Sequence, residues 1–202
     1  MRSLQRFKAY NDHAKLEGTH AFLSPSNYHW LRYDKEKLRK RLETVKAAAR
    51  GTSLHKLAAH AISEGVQLMP DGSTLSQYVN DAIKYGMEPE RALFFSMDCY
   101  GTADAIGFDV YTEPVGDILG FLRIFDLKTG VSPCSVEQLF IYAAVFCLEY
   151  GYKPYEIEGE LRLYQNDDVQ CYEIDRVVLT EIISIILAHQ ATIDEYRLEG
   201  GE

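Results

Sequence analysis

An α/β domain with a helical N-terminal part is the fold class this sequence predicts, and three observations predict it. Apolar residues recur at helical spacing through most of the first 90 positions. The next part changes to short runs rich in Phe, Ile, Val and Tyr, and an apolar helical stretch over 135–150 separates three such runs from two more. The expected architecture is a central mixed sheet of about five strands flanked by helices. Residues 1–90 form its mainly helical part, 91–175 its sheet core and 176–198 a C-terminal helix, all within one domain spanning 1–202.

Ser24-Pro25-Ser26 has the form of a helix start, a capping hydroxyl beside a first-turn proline, and a short helix through Trp30 and Leu31 follows. Leu38, Leu42, Val45 and Ala49 space a helix over 34–49. Gly51-Thr52-Ser53 then ends it and caps a second one over 54–64. The stretch 65–73, with Gly65, Pro70, Asp71 and Gly72, reads as a loop before a helix over 75–85. Runs 92–100, 103–111 and 120–128 read as three strands in an antiparallel meander, broken at Gly101 and at Pro114-Val115-Gly116-Asp117. Strands over 156–164 and 169–174 join across Gln165-Asn166-Asp167-Asp168, and an amphipathic helix over 176–196 closes the chain.

With 202 residues, 47% hydrophobic and 25% charged, the chain is long and apolar enough for a real core and lacks the composition of a disordered protein. No signal-peptide pattern and no run of 18 apolar residues is found, so a cytoplasmic protein without a membrane partner is expected. Cys99, Cys134, Cys147 and Cys171 are too scattered for a zinc or disulfide framework and are expected to be buried thiols. A net charge of −9 opposes binding to nucleic acid in general. Eight basic residues nonetheless cluster between Arg32 and Arg50, with Arg39, Lys40, Arg41, Lys46 and Arg50 as candidate phosphate contacts or simply a solvated helix face.

The candidate chemistry centres on Asp104 and Asp126, acids in equivalent places on neighbouring predicted strands, where they could share a divalent cation. Apolar residues precede Asp126, and an acid buried there is costly unless something neutralises it. Alternation puts Asp126 and Lys128 on one face with Leu127 on the other. A carboxylate for a cation and a lysine beside a phosphate suit phosphodiester hydrolysis, whereas the plain alternative is a structural Asp-Lys ion pair. His55 read alone is an ordinary helix histidine and His60 is structural. Gln138 could complete a capping box with Ser135, and Tyr142 could be core, although the two share a helix face.

Taken in order, Gly51-Thr52-Ser53-Leu54-His55, Gly101-Thr102-Ala103-Asp104, Asp126-Leu127-Lys128-Thr129-Gly130 and Gln138-Leu139-Phe140-Ile141-Tyr142 resemble the motifs of the PD-(D/E)XK nuclease superfamily. The resemblance is to its RecB-type exonuclease branch, as in phage-type and CRISPR-adaptation exonucleases, and Leu23-Ser24-Pro25-Ser26 resembles the segment that opens many of these domains. It implies a restriction-endonuclease-like core and a Mg²⁺- or Mn²⁺-dependent DNA exonuclease of recombination, repair or phage DNA processing. It further implies His55, Asp104, Asp126 and the Leu127 carbonyl as metal ligands, Lys128 as the group that activates water or steadies phosphate, and Gln138 and Tyr142 as supporting or DNA-touching residues. Implied partners are DNA and a recombinase or single-strand-binding protein, with a homo-oligomer allowed. Two departures matter: Ala59 stands where many members carry an acid, which puts a second metal in doubt, and Tyr33-Asp34 stands where iron-sulfur members have a cysteine, so no cluster is expected. The alternatives are an inactive nuclease-like DNA-binding or regulatory protein and an acidic protein that binds a nuclease or recombinase.

Overall fold

The computed structural model describes residues 30–130 and 134–199, without the side chains of 112–115. Ser24-Pro25-Ser26 lies outside the described residues. The backbone divides into two compact units, 1–46 and 47–202. Of the first, a single 3-10 turn at 30–32 and the opening turns of helix α1 (Lys35–Ser63) are described, with Lys37 N–H bonded to Asp34 Oδ1 at 2.7 Å.

Where two helices are expected over 34–64, α1 runs without a break. Gly51 does not stop it. Glycine in a helix interior costs about 1 kcal/mol relative to alanine, and here the missing side chain is used: a Cβ on Gly51 would stand 2.6 Å from Thr129 Oγ1. Thr52 and Ser53 turn their hydroxyls back to the carbonyls of Ala48 and Ala49 instead of capping a new helix.

Helix α2 (Thr74–Lys84) starts at Ser73, whose hydroxyl accepts the N–H of Ser76, and ends before Gly86. Five strands follow: β1 (Glu88–Ser96), β2 (Cys99–Val115), β3 (Ile118–Leu127), β4 (Ile157–Gln165) and β5 (Asp168–Glu173), in spatial order 1-2-3-4-5. β1, β2 and β3 form the expected antiparallel meander. β3 and β4 run parallel, as strands joined through a helix do, here through α3 (Glu137–Tyr150), and β5 returns antiparallel on β4. The five-stranded sheet is therefore mixed, in an α/β fold.

One strand differs from expectation. The apolar run 92–100 is two strands, because the chain reverses at Met97-Asp98 with Ser96 paired to Cys99. This turn holds no glycine, proline or asparagine to reveal it. Ser96 Oγ accepts the Asp98 N–H, and Asp98 is clasped by both terminal nitrogens of Arg197 at 2.7 Å. Gly101 accordingly lies inside β2. At the other hairpin, Asn166 and Asp167 both have positive φ, 53° and 57°, as a two-residue turn demands.

β3 is covered on both faces, which explains its nearly unbroken apolar sequence. Leu122 and Ile124 join a core with Leu139, Phe140, Ala143 and Phe146 of α3 and Leu179 of helix α4 (Arg176–Leu198). Phe125 and Leu127 join a second core with Ala58 and Ile62 of α1, Tyr78 and Val79 of α2, and Tyr164 of β4. α4 is capped by Asp175, which accepts the N–H groups of Val177 and Val178. Its outer side keeps Val177, Ile185 and Leu187 exposed. By length and composition alone α4 is long and apolar enough to cross a membrane, although polar residues interrupt it and Leu179 packs in the core. The cysteines also depart from expectation: Cys147 is buried, Cys99 and Cys134 are half-buried and Cys171 is exposed on β5.

Gly159 on β4 lies opposite Leu122, and a Cβ there would meet the Leu122 carbonyl oxygen at 2.0 Å and Ile174 Cδ1 at 2.9 Å. Neither backbone nor packed core can yield cheaply. Gly159→Ala is expected to lower the stability of the fold by at least about 1–3 kcal/mol, read as a lower urea midpoint.

Candidate metal centre

Strand register decides which side chains meet. Pro89 pairs with Ala105 and Arg91 with Ala103, so Glu90 stands level with Asp104. Ala105 pairs with Phe125, so Asp104 in turn stands level with Asp126. Three carboxylates from β1, β2 and β3 thus lie in one row across the sheet. Like charges on directly opposite residues destabilise a sheet by a few tenths to about 1 kcal/mol each. Glu90 adds a backbone cost, with φ at 51°, in the left-handed region that side chains other than glycine's rarely take.

Helix α1 supplies the first partner. His55 Nδ1 stands 3.3 Å from Asp104 Oδ2, and the same oxygen accepts the Leu127 N–H at 3.0 Å. Asp104 is thereby tied to both α1 and the end of β3. One ligand atom from each of His55, Glu90 and Asp104 lies within 4.8 Å of the others, close enough to hold one metal ion. A cleft of about 600 Å³ opens over them, lined also by Gly51, Thr52, Ala59 and Thr129, with the exposed Lys56 among its walls.

Asp126 is buried, 3% exposed. Lys128 donates to Asp126 Oδ1 at 3.1 Å and stands 3.0 Å from Oδ2. The second distance is an ion-pair contact without hydrogen-bond geometry, so Oδ2 is enclosed with no hydrogen bond of its own. Lys128 also donates to Gln138 Oε1 at 2.9 Å. Gln138 reaches the Tyr142 hydroxyl at 3.5 Å, and that hydroxyl donates to the Thr102 carbonyl at 2.6 Å. Gly101 permits this last contact, because a Cβ on it would press within 3.0 Å of Tyr142 Cε1. Gln138 is therefore spent on Lys128, not on a capping box. Ser135 bonds the Glu137 N–H and leaves Gln138 free to face the lysine.

The electrostatics reflect crowded negative charge. The carboxyl of Asp126 is raised above its ordinary value by burial first and by the Asp104 charge second, with Lys128 opposing. The His55 imidazole is raised chiefly by its hydrogen bond to Asp104. The Tyr78 hydroxyl is raised by burial and then by Asp104, Glu90 and Asp126 together. Three carboxylates stand against the paired Lys128 ammonium, with Lys56 in the cleft wall. A doubly charged cation would offset the excess negative charge, and a donor set of carboxylate oxygens with one imidazole suits Mg²⁺ or Mn²⁺.

The structure therefore brings together His55, Asp104, Asp126, Lys128, Gln138 and Tyr142, six residues that the sequence singles out. Leu127 joins them through its N–H, while its side chain is buried beside α2. Arg39, Lys40, Arg41 and Lys46 are exposed on the first unit, and Arg50 is exposed one residue before Gly51. His60 is exposed as well. Sequence reading missed Glu90. No motif marks it, and only the β1–β2 register reveals it. It lines the same cleft as Ala59, so a carboxylate absent from the helix is present on the facing strand.

Compared with models of known families, with curated proteins and with solved structures, the chain matches none.

Because His55 is held above its ordinary value of 6.5, the stability it contributes is full below pH 6.5 and is lost as pH rises through its value in the fold. Without divalent cations, thermal midpoints are expected to fall across this window in wild type. His55→Gln should flatten that limb of the profile.

Proposed function

We propose that the protein is a metal-dependent deoxyribonuclease, specifically a DNA exonuclease. The observation that carries this reading is the row Glu90–Asp104–Asp126, flanked by His55 on one side and by the braced Lys128 on the other. The ligand atoms of His55, Glu90 and Asp104, all within 4.8 Å of one another, fit a divalent cation, and the enclosed Asp126 Oδ2 on the adjoining strand has no hydrogen bond of its own. When bound, such an ion polarises a phosphate oxygen and lowers the pKa of a coordinated water.

The remaining work falls to the chain's own residues. Asp104, fixed through the Leu127 N–H and His55, presents a carboxylate already oriented. Lys128 is anchored by Asp126 and Gln138, so its ammonium faces the site in a set direction, able to hydrogen-bond a phosphate oxygen or orient an attacking water. Gln138 and Tyr142 act through Lys128 and Thr102 as positioning residues. The ordered likeness of these motifs to the RecB-type exonucleases selects DNA and strand ends over other phosphodiesters.

The test is incubation of the purified full chain with linear and with closed circular DNA in Mg²⁺ or Mn²⁺. Loss of linear DNA alone is expected, abolished by chelation and reduced at least a hundredfold in Asp126→Ala and Lys128→Ala. Equal degradation by wild type and both variants, or none by any of them, would overturn the reading, and rapid nicking of circles would remove its exonuclease part.

A functional carboxylate kept at a cost to the fold gives a second expectation. Asp126→Asn removes the buried negative charge, so at pH 7 without metal it should melt about 2–4 °C higher, the effect of roughly 1 kcal/mol in a chain of this size, while losing activity.

A further inference from the structure

A second cleft, of about 510 Å³, is lined by Tyr100, Gly101, Lys128, Gln138, Ile141 and Tyr142, with Glu137 also in its wall. Two of its residues offer apolar surface to solvent: Tyr100 is 65% exposed and Ile141 45% exposed. The Tyr100 ring is also held in place. It is paired across the β1–β2 hairpin with Phe94, their rings stacked at 6.2 Å and 29° between planes, and the Phe94 N–H is anchored to Glu149 of α3 at 2.8 Å. Phe94 backs the tyrosine, which itself lines the cleft. The result is a braced aromatic platform in the same cleft as the lysine assigned to the phosphate.

Charge says what such a platform is for. Residues 47–202 carry 10 basic and 25 acidic side chains, net −15, whereas residues 1–46 carry 11 basic and 5 acidic, net +6. A duplex is held mainly through its phosphates, and the sheet unit has few cations to offer them: the second cleft contains Lys128 and, against it, Glu137. A nucleotide seated there must draw its binding from contacts that do not depend on charge. Stacking of an exposed base on an aromatic ring is the usual source, and it requires the base to be unpaired.

We propose that this cleft seats an unpaired nucleobase on Tyr100, against Ile141 and adjoining the phosphate faced by Lys128, so that the substrate class is single-stranded or frayed DNA and not intact duplex. The proposal rests on the nuclease reading for the role of Lys128. The base-stacking site itself can be tested without cleavage.

The experiment uses the full chain with Ca²⁺ replacing Mg²⁺, recovered strands being checked for integrity. Fluorescence anisotropy compares a short single strand, an abasic strand of equal length and a blunt duplex, and a 2-aminopurine base in the single strand reports stacking directly. The unmodified strand is expected to bind at least tenfold more tightly than the other two and to show quenched 2-aminopurine fluorescence. Tyr100→Ala should weaken binding by about five- to a hundredfold, the range one stacked base confers, and restore the fluorescence, whereas Tyr100→Trp should retain both. Equal affinity for the normal and abasic strands, an unchanged Tyr100→Ala, or no binding of the single strand would each overturn the proposal. Stacking without degradation in Mg²⁺ or Mn²⁺ would instead overturn the nuclease reading alone, and degradation indifferent to Tyr100 would overturn the stacking site alone.

Discussion

Three carboxylates set level on adjacent strands are the constraint around which the sheet unit is organised. Glu90, Asp104 and Asp126 occupy equivalent heights on β1, β2 and β3 because the two antiparallel registers place them there, and a slip of one residue in either pairing would disperse them to opposite faces. Nothing in strand formation favours such a row. Its members repel one another, one is almost fully buried, and one takes a backbone conformation that costs about 1 kcal/mol. The surroundings can be understood as answers to this arrangement: an imidazole and a backbone N–H on Asp104, an ammonium on Asp126, and two well-packed cores that hold β3 in register from both faces. A protein that kept these acids only for stability would do better with apolar residues of similar volume.

The same logic connects motifs that lie far apart in the chain. Gly51 and Thr129 are separated by most of the sheet, yet the bare Cα of the one is where the hydroxyl of the other sits, so α1 approaches the end of β3 closely enough for His55 to reach Asp104. Gly101 does the same for Tyr142, which packs on the β2 backbone and bonds the Thr102 carbonyl two residues before Asp104. In both pairs a glycine buys proximity for a helix that carries a site residue. Glycine, acid, lysine and glutamine thus act as parts of one brace, which is why their order along the chain says more than any of them alone.

Much of this was legible in sequence. The strand and helix periods locate α2–α4 and β2–β5 closely enough, and alternation places Asp126 and Lys128 on one face. Three features were not legible, each for a physical reason. The α1 helix was split at Gly51 because glycine commonly ends helices, and only the position of Thr129 explains its retention. The β1–β2 hairpin is hidden in sequence because its turn at Met97-Asp98 lacks glycine, proline and asparagine and lies inside an apolar run, its hold coming from Ser96 and from the distant Arg197. Glu90 was missed because its role depends on that same hairpin. With β1 read as starting at 92, an acid at 90 lay before the strand and had no register to place it.

Charge is distributed in a way that sharpens how the site could work. A unit with net −15 repels a phosphate chain, and the braced Lys128 is one ammonium among three carboxylates. The cation proposed for those acids would offset the charge of the row, so that occupancy of the row would be a condition for holding a phosphate there. The basic charge of the chain lies elsewhere, in the +6 of residues 1–46 with the exposed Arg39, Lys40, Arg41 and Lys46. Separating the two gives each a distinct dependence on conditions: attraction by exposed basic side chains fades with salt, whereas coordination by a partly buried acid row is screened far less. On the proposed reading, the repulsion that destabilises the empty row would be relieved when a divalent cation occupies it.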